Sequence, residues 1–167
     1  SYDLIEWGKP FQKCKKKLPK PTSVEVLVRV TAAGLCHSDL HVQKGFMDLG
    51  EEGKLTFSER GAELPMTFGH EIAGIVEAIG PEASMVNIGQ QVLVFPWIGC
   101  GKCEACEEER ESDCSAMRII GLKQKGGFAT HCLVENEKFL VDIEGLDAAE
   151  VVPHACSGIT VYNALEK

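Results

Sequence analysis

No apolar run in this 167-residue chain approaches the roughly 18 to 20 residues needed to cross a bilayer. The opening stretch SYDLIEWGKPFQKCKKK also lacks the apolar centre of a secretory signal. These absences predict a protein with no membrane partner, located in the cytoplasm. No G-x-G-x-x-G stretch occurs, so these residues lack the glycine turn that cradles a dinucleotide pyrophosphate. Positive charge is scarce: 17 Lys and Arg against 25 Asp and Glu leave a formal net charge of −8. Counterion release rewards a basic face, so an acidic chain argues against nucleic acid as a partner. The one basic cluster, KCKKKLPK, is followed and broken by prolines and reads as a solvated surface loop. No repeat or low-complexity linker is present, and a hydrophobic content of 44% is ordinary for one folded domain.

Cysteine, in contrast, is plentiful, with eight in the chain. A reducing compartment disfavours disulfides, so metal ligation is the first explanation to consider. In GCGKCEACEEERESDC, Cys100, Cys103, Cys106 and Cys114 follow the spacing C-x2-C-x2-C-x7-C. Four thiolates at roughly 2.3 Å complete a tetrahedral zinc shell and leave no open position, which predicts a structural ion. A redox C-x-x-C is the rival, but it calls for a single pair beside a βαβ pattern. The interleaved acidic residues, Glu104 to Asp113, read as the solvated surface of that loop. Other residues able to bind metal are Cys36, His37, His41, His70, Glu71, His131, Cys132, His154 and Cys156. They are scattered, and spacing alone does not choose among them.

The hydrophobic patterning predicts a mainly β protein with short helices. VEVLVRVTAAG (24–34) alternates at period two and reads as a strand with one buried face. HEIAGIVEAIG (70–80) is apolar on both parities, as in a strand covered on both sides. QQVLVF and GGFATHCLVEN add two more strands, the second placing Phe128, Thr130, Cys132 and Val134 on one face. Closely spaced glycines between strands suggest a barrel or sandwich. Ser38 and Asp39 read as the start of a short helix or turn that carries Cys36 and His41, and D-A-A-E at 147–150 has the form of a capping box. CSGITVYNALEK has helical spacing through Ile159, Tyr162 and Leu165 and reaches Lys167 with no Gly or Pro stop, as a helix cut short would.

Four stretches, GLCHSDLH, GHEIAGIVEAIG, the four-cysteine loop and CSGITVYNAL, occur in an order that resembles the zinc-dependent alcohol dehydrogenases of the medium-chain dehydrogenase/reductase family. The resemblance covers essentially the whole chain and implies the amino-terminal catalytic domain, a GroES-like β-barrel. By that resemblance a catalytic zinc is held by Cys36, His70 and Cys156, the Cys2His set known from alcohol dehydrogenases, with its fourth position open. With the four-cysteine ion this makes two zinc ions per chain. Glu71 resembles the glutamate that lies near the metal and replaces its water in some members. Asp39 would orient His70, the usual support for a ligand imidazole. Ser38 and His41 match the relay that takes the alcohol's proton outward, histidine being the side chain that exchanges protons near neutral pH. His37 corresponds to a basic residue at the cofactor pyrophosphate and Thr160 to a nicotinamide contact. Trp97 falls where an aromatic walls the substrate pocket, though an aromatic before a metal loop also serves plain packing. Cys14, Cys132, His131 and His154 match no functional position.

The resemblance therefore implies an oxidoreductase interconverting an alcohol and an aldehyde or ketone with NAD or NADP, working on small molecules and homo-oligomeric at full length. It divides the chain into a barrel at 1–155, with the zinc loop at 99–114, and the start of a helix at 156–167. The Rossmann coenzyme domain that follows in the family is absent from these residues, so the fragment alone is expected to be inactive and its cofactor choice unreadable. A polyol dehydrogenase or reductase of the same fold, and a noncatalytic zinc-binding barrel, are the alternatives. VQKGFMDLGEEGKLTFSERGAELPMTFG (42–69) is longer than in many members. Its Phe46, Met47, Leu49 and Phe57 are candidates to line the cleft, against a surface excursion or subunit contact.

Overall fold

The structure, a computed structural model, describes residues 1–166 and the side chains of all of these but Ser112. In chain order its elements are β1 (Tyr2–Leu4), β2 (Gln12–Lys13), β3 (Val26–Gly34), α1 (His37–Lys44), β4 (Phe46–Asp48), β5 (Lys54–Thr56) and β6 (Met66–Thr67). There follow β7 (Glu71–Ile79), β8 (Gln91–Val94), α2 (Glu104–Glu107), β9 (His131–Val134), β10 (Leu140–Asp142), α3 (Ala148–Val151), a 3-10 turn at Val152–Ala155 and α4 (Ser157–Leu165). Five strands form an antiparallel sheet in the order β10-β8-β7-β3-β9, and β2-β1-β6 form a smaller antiparallel one. This is the mainly β architecture that the patterning predicts.

The reason β7 is apolar on both parities is visible in its neighbours. Ile72 and Val76 enter the main core with Val26, Val28, Val92, Val94, Ile98, Ile120 and Val134. Ala73, on the other face, meets Ile143 and Val152, with Ala32 and Val151 packed alongside. Fully burying each Val or Ile stabilises by about 1.5–3 kcal/mol, so this strand is a principal anchor of the domain. Ala32 pairs with Ala73 in the β3–β7 register, and two small side chains there let the turn at Val152–Ala155 lie close on the sheet. A second core joins Leu4, Val42, Phe57, Ala62 and Phe68 under Trp7, Phe11 and Phe128.

Several sequence expectations change in detail. β3 begins at Val26, and Val26, Leu27 and Val28 are all buried, so its first third is covered on both faces. The strand expected through Phe128 and Thr130 begins only at His131, because Phe128 turns into the second core against Phe11. Helix α1 is capped by Cys36, not started by Ser38 and Asp39; Asp39 sits in its first turn and accepts the Cys36 N–H at 3.0 Å. Asp147 caps α3 through the Ala149 N–H at 2.7 Å. Lys16 leaves the basic cluster to pair with the buried Asp3 at 2.5 Å. The 42–69 segment contains a β4–β5 hairpin whose Met47 and Leu55 pack on the second core, and Phe57 belongs to that core instead of a cleft.

Candidate metal centres

Two groups of side chains, both rich in sulfur, are assembled by the fold. The first is local. Ile98, with no exposed surface, leads into the loop, and Ile120, equally buried, follows it, so both ends are pinned in the main core. One turn of helix, α2, separates Cys103 from Cys106 and puts both on one side. The sulfur pairs Cys103/Cys106, Cys103/Cys114 and Cys100/Cys106 lie 3.5, 3.8 and 4.0 Å apart. A tetrahedron with bonds of about 2.3 Å has edges of roughly 3.8 Å, so the four sulfurs fit zinc and fill its shell. A Cβ at Gly99 would lie 2.6 Å from Cys106 Sγ, so glycine there makes room for the ligand. The Lys102 backbone N–H leads the groups that hold the Cys100 thiol down to about 6. The Cys106 backbone N–H favours a Cys103 thiolate, but the sulfurs of Cys106 and Cys100 outweigh it and push Cys103 up to about 11. Like charges this close exclude one another until a cation sits among them. Outside the loop, Arg118 bonds Glu135 and the Gly99 carbonyl, and Lys138 pairs with Glu111 at 2.5 Å, tying the lobe to the barrel.

The second group is built from three distant pieces of chain. The β3–β7 ladder closes with the pair Gly34 and Glu71, which brings Cys36, just beyond β3, beside His70, just before β7. The turn at Val152–Ala155 packs on β7 and delivers Cys156 at the start of α4. Cys36 Sγ and Cys156 Sγ are 3.8 Å apart, and His70 Nε2 is 3.3 Å from Cys156 Sγ. Two sulfurs and a nitrogen at these separations suit a tetrahedral ion and leave one position free. Glu71 lies in the same group, with one ligand atom from each of the four residues within 4.8 Å of the others.

The electrostatics of this group suit a cation. Burial would lower the His70 pKa, but the Asp39 carboxylate, 3.6 Å from Nδ1, and the Cys36 sulfur outweigh it and raise the pKa. Burial likewise opposes a Cys36 thiolate, yet the backbone and hydroxyl of Ser38, then His70, draw that thiol below its usual range. Burial and the neighbouring Cys36 push Cys156 up to about 12, so the two thiolates oppose one another unless a cation sits between them. Asp39, 2% exposed, serves both ligands: one oxygen faces His70 and the other accepts the Cys36 N–H.

The remaining candidate residues surround this centre unevenly. His37 is exposed and His41 half-buried, with ring centroids 4.7 Å apart along α1. The half-buried Trp97 ring stands 6.4 Å from His70. Thr160 is exposed on α4, its hydroxyl donating to the Cys156 carbonyl at 2.7 Å. His154 is exposed and lies outside the ligand group, against Gly158. His131 is held by Thr130 and Glu77. Cys132 is buried in the main core, which pushes its thiol up to about 12, and Cys14 is half-buried elsewhere. A glycine crossing escapes the sequence reading. A Cβ at Gly126 would lie 2.1 Å from the Gly69 carbonyl oxygen, and one at Gly121 would lie 2.6 Å from it. The hydrogen bonds of Gly126, Gly127 and Phe128 to residues 67–69 brace the chain directly before His70. The glycine pair at 126–127 is its sequence signal.

An antiparallel barrel with one closed sulfur site and one open mixed site defines a class of metal-using domain. Residues 22–145 match the Alcohol dehydrogenase GroES-like domain family, and the chain belongs to that family. The NAD-dependent alcohol dehydrogenase of Sulfurisphaera tokodaii is 39% identical over 165 residues, 98% of this chain and 46% of that protein. The D-arabinose 1-dehydrogenase (NADP(+)) of Saccharolobus solfataricus is 31% identical over 164 residues, 98% of this chain and 44% of that protein. The structure of a cobalt- and zinc-bound thermostable alcohol dehydrogenase from Pyrobaculum aerophilum superposes with a TM-score of 0.82 at 25% identity, covering 99% of this chain and 47% of that one. The chain thus spans about half the length of the curated relatives it matches. The described residues form the barrel and contain no doubly wound nucleotide-binding sheet, nor any helix long and apolar enough to cross a membrane.

Proposed function

We propose that this barrel is the catalytic part of a zinc-dependent oxidoreductase that interconverts an alcohol and an aldehyde or ketone by hydride exchange with NAD or NADP. The observation that carries the reading is the unequal pair of centres: a closed set of four sulfurs, and an open set of Cys36, His70 and Cys156 with one position free. Zinc in the open set supplies Lewis acidity, the property that lowers the pKa of water from about 15.7 to about 7. Asp39 faces His70 Nδ1 and so presents Nε2 to the two sulfurs. In this reading Ser38 takes the substrate's proton and His41, half-buried on α1, exchanges it with solvent. His37 binds a cofactor phosphate, Thr160 contacts the nicotinamide, Trp97 walls the substrate pocket and Glu71 is held in reserve for the metal.

Residues 1–155 act as the catalytic barrel, and the stretch assigned to 156–167, of which Lys167 lies outside the described residues, begins the helix leading to a coenzyme domain. The complete protein is read as a cytoplasmic homo-oligomer carrying two zinc ions per chain. The similarity to a D-arabinose dehydrogenase favours a second reading of the substrate, a sugar or polyol in place of a simple alcohol. The test is a screen of the complete protein with alcohols, aldehydes, ketones and aldoses, with NAD and NADP, followed by nicotinamide absorbance. Turnover that disappears in Cys36→Ser supports the reading; no turnover with any of them would overturn it in favour of a noncatalytic zinc-binding barrel, and turnover indifferent to Cys36 would overturn the open centre as the reactive site.

A further inference from the structure

The carboxylate of Glu71 is an unusual occupant of the second centre. Glu71 is only 5% exposed, and a carboxylate oxygen of it lies within 4.8 Å of the ligand atoms of Cys36, His70 and Cys156. A carboxylate this buried and this close to a metal centre is drawn to the cation it holds. Once the centre holds a divalent ion, this group therefore competes with water or substrate for the free fourth position. Something in the fold must offer it another resting place.

That place is the missing side chain of Gly34. A Cβ at Gly34 would lie 2.0 Å from Glu71 Oε2, 3.0 Å from its Cβ and 3.1 Å from its Cδ. Gly34 is not among the glycines of positive φ, so its backbone does not itself demand glycine. Room is the requirement. The two residues are also the last partners of the β3–β7 ladder, two residues before Cys36 and one after His70, so the slot is set by the same pairing that joins the ligands.

We propose that Gly34 is a positioning residue: its empty side chain is the slot that parks the Glu71 carboxylate beside the Cys36, His70 and Cys156 centre and off its fourth position. The inference rests on reading that centre as the reactive metal site. Alanine at 34 removes the slot and leaves the ion as the carboxylate's remaining partner, so the centre closes.

The test uses the complete chain with zinc kept in the four-cysteine loop and cobalt in the open centre. Imidazole, which needs the free position, is titrated against the visible cobalt absorbance. Gly34→Ala is expected to weaken imidazole binding by roughly tenfold or more, within the range seen when partners of metal ligands are altered. The double variant Gly34→Ala/Glu71→Ala is expected to match Glu71→Ala within about twofold, because the two residues act as one unit. Unchanged binding in Gly34→Ala, or equal weakening in the Glu71→Ala background, would overturn the proposal. If Gly34→Ala does not take up cobalt, recovery in the double variant supports the slot and failure there overturns it. No cobalt absorbance in the unaltered protein would instead overturn the reading of the centre itself.

Discussion

The two sulfur clusters differ most in how far the chain travels to make them. The closed one uses four cysteines within fifteen positions, from Cys100 to Cys114, and its shape is set by a single helical turn between Cys103 and Cys106. The open one draws on Cys36, His70 and Cys156, and exists only because the β3–β7 ladder and the packing of residues 152–155 on β7 bring three remote pieces together. A local cluster stabilises its own lobe. A cluster assembled by the whole fold can leave a position free, because the barrel and not the ion holds its ligands in place.

Cys36→Ser tests this contrast most severely. Turnover of the complete protein should fall to background and metal analysis should show one ion fewer per chain, while the thermal midpoint moves little. A large loss of stability would mean that the open centre is a staple as well. Cys103→Ser should do the reverse to the fold: the loop ion is lost and the thermal midpoint falls by on the order of 10 °C, since a structural site contributes folding free energy directly. Scanning calorimetry with metal analysis on the same samples checks both.

Asp39→Asn should sharpen the comparison further. Among the described residues the closed site has no analogous carboxylate shared between two ligands, whereas Asp39 supports both His70 and Cys36. A 10- to 100-fold loss in metal affinity or activity is expected, read by chelator competition and by rate. The loop ion should be unaffected.

The smallest effect concerns the seam between lobe and barrel. Lys138 holds the Glu111 carboxyl below its usual 4.5, against the opposing effect of burial. A depressed carboxylate contributes stability that is fully present above the unfolded value and is lost as pH falls through the folded one. Lys138→Ala should therefore cost less than about 1 kcal/mol, as expected of a partly exposed pair. The difference between variant and parent should be full above about pH 4.5, shrink as pH falls below it and disappear only below the depressed folded value, which denaturant titrations across that range would reveal. A difference that persists in acid would assign the effect to the contact of Lys138 with the Phe139 ring, 5.0 Å from its ammonium.

The β-rich class, the strand at 71–79 and the four-cysteine loop were legible from local pattern, because period and spacing reflect reach along the chain. Three local readings failed where tertiary packing intervened. Phe128 was grouped with a strand face, yet it packs against Phe11 in the second core. Phe57 was a cleft candidate and is 7% exposed beside Leu4 and Phe68. Lys16, read as solvated, reaches the buried Asp3. In each case the partner is too remote in sequence for periodicity to register.

The sequence by itself determined the closed sulfur shell, since fewer than eight residues between successive cysteines confine the thiolates to one small loop. It also supplied the motifs whose resemblance named Cys36, His70 and Cys156 together. Only the tertiary structure decided that these three meet within ligand distance, that Asp39 serves two of them, and that Gly34 leaves room for Glu71. The physical reason is separation: Cys36 and Cys156 stand 120 positions apart, a span that local geometry cannot close and a packed sheet can.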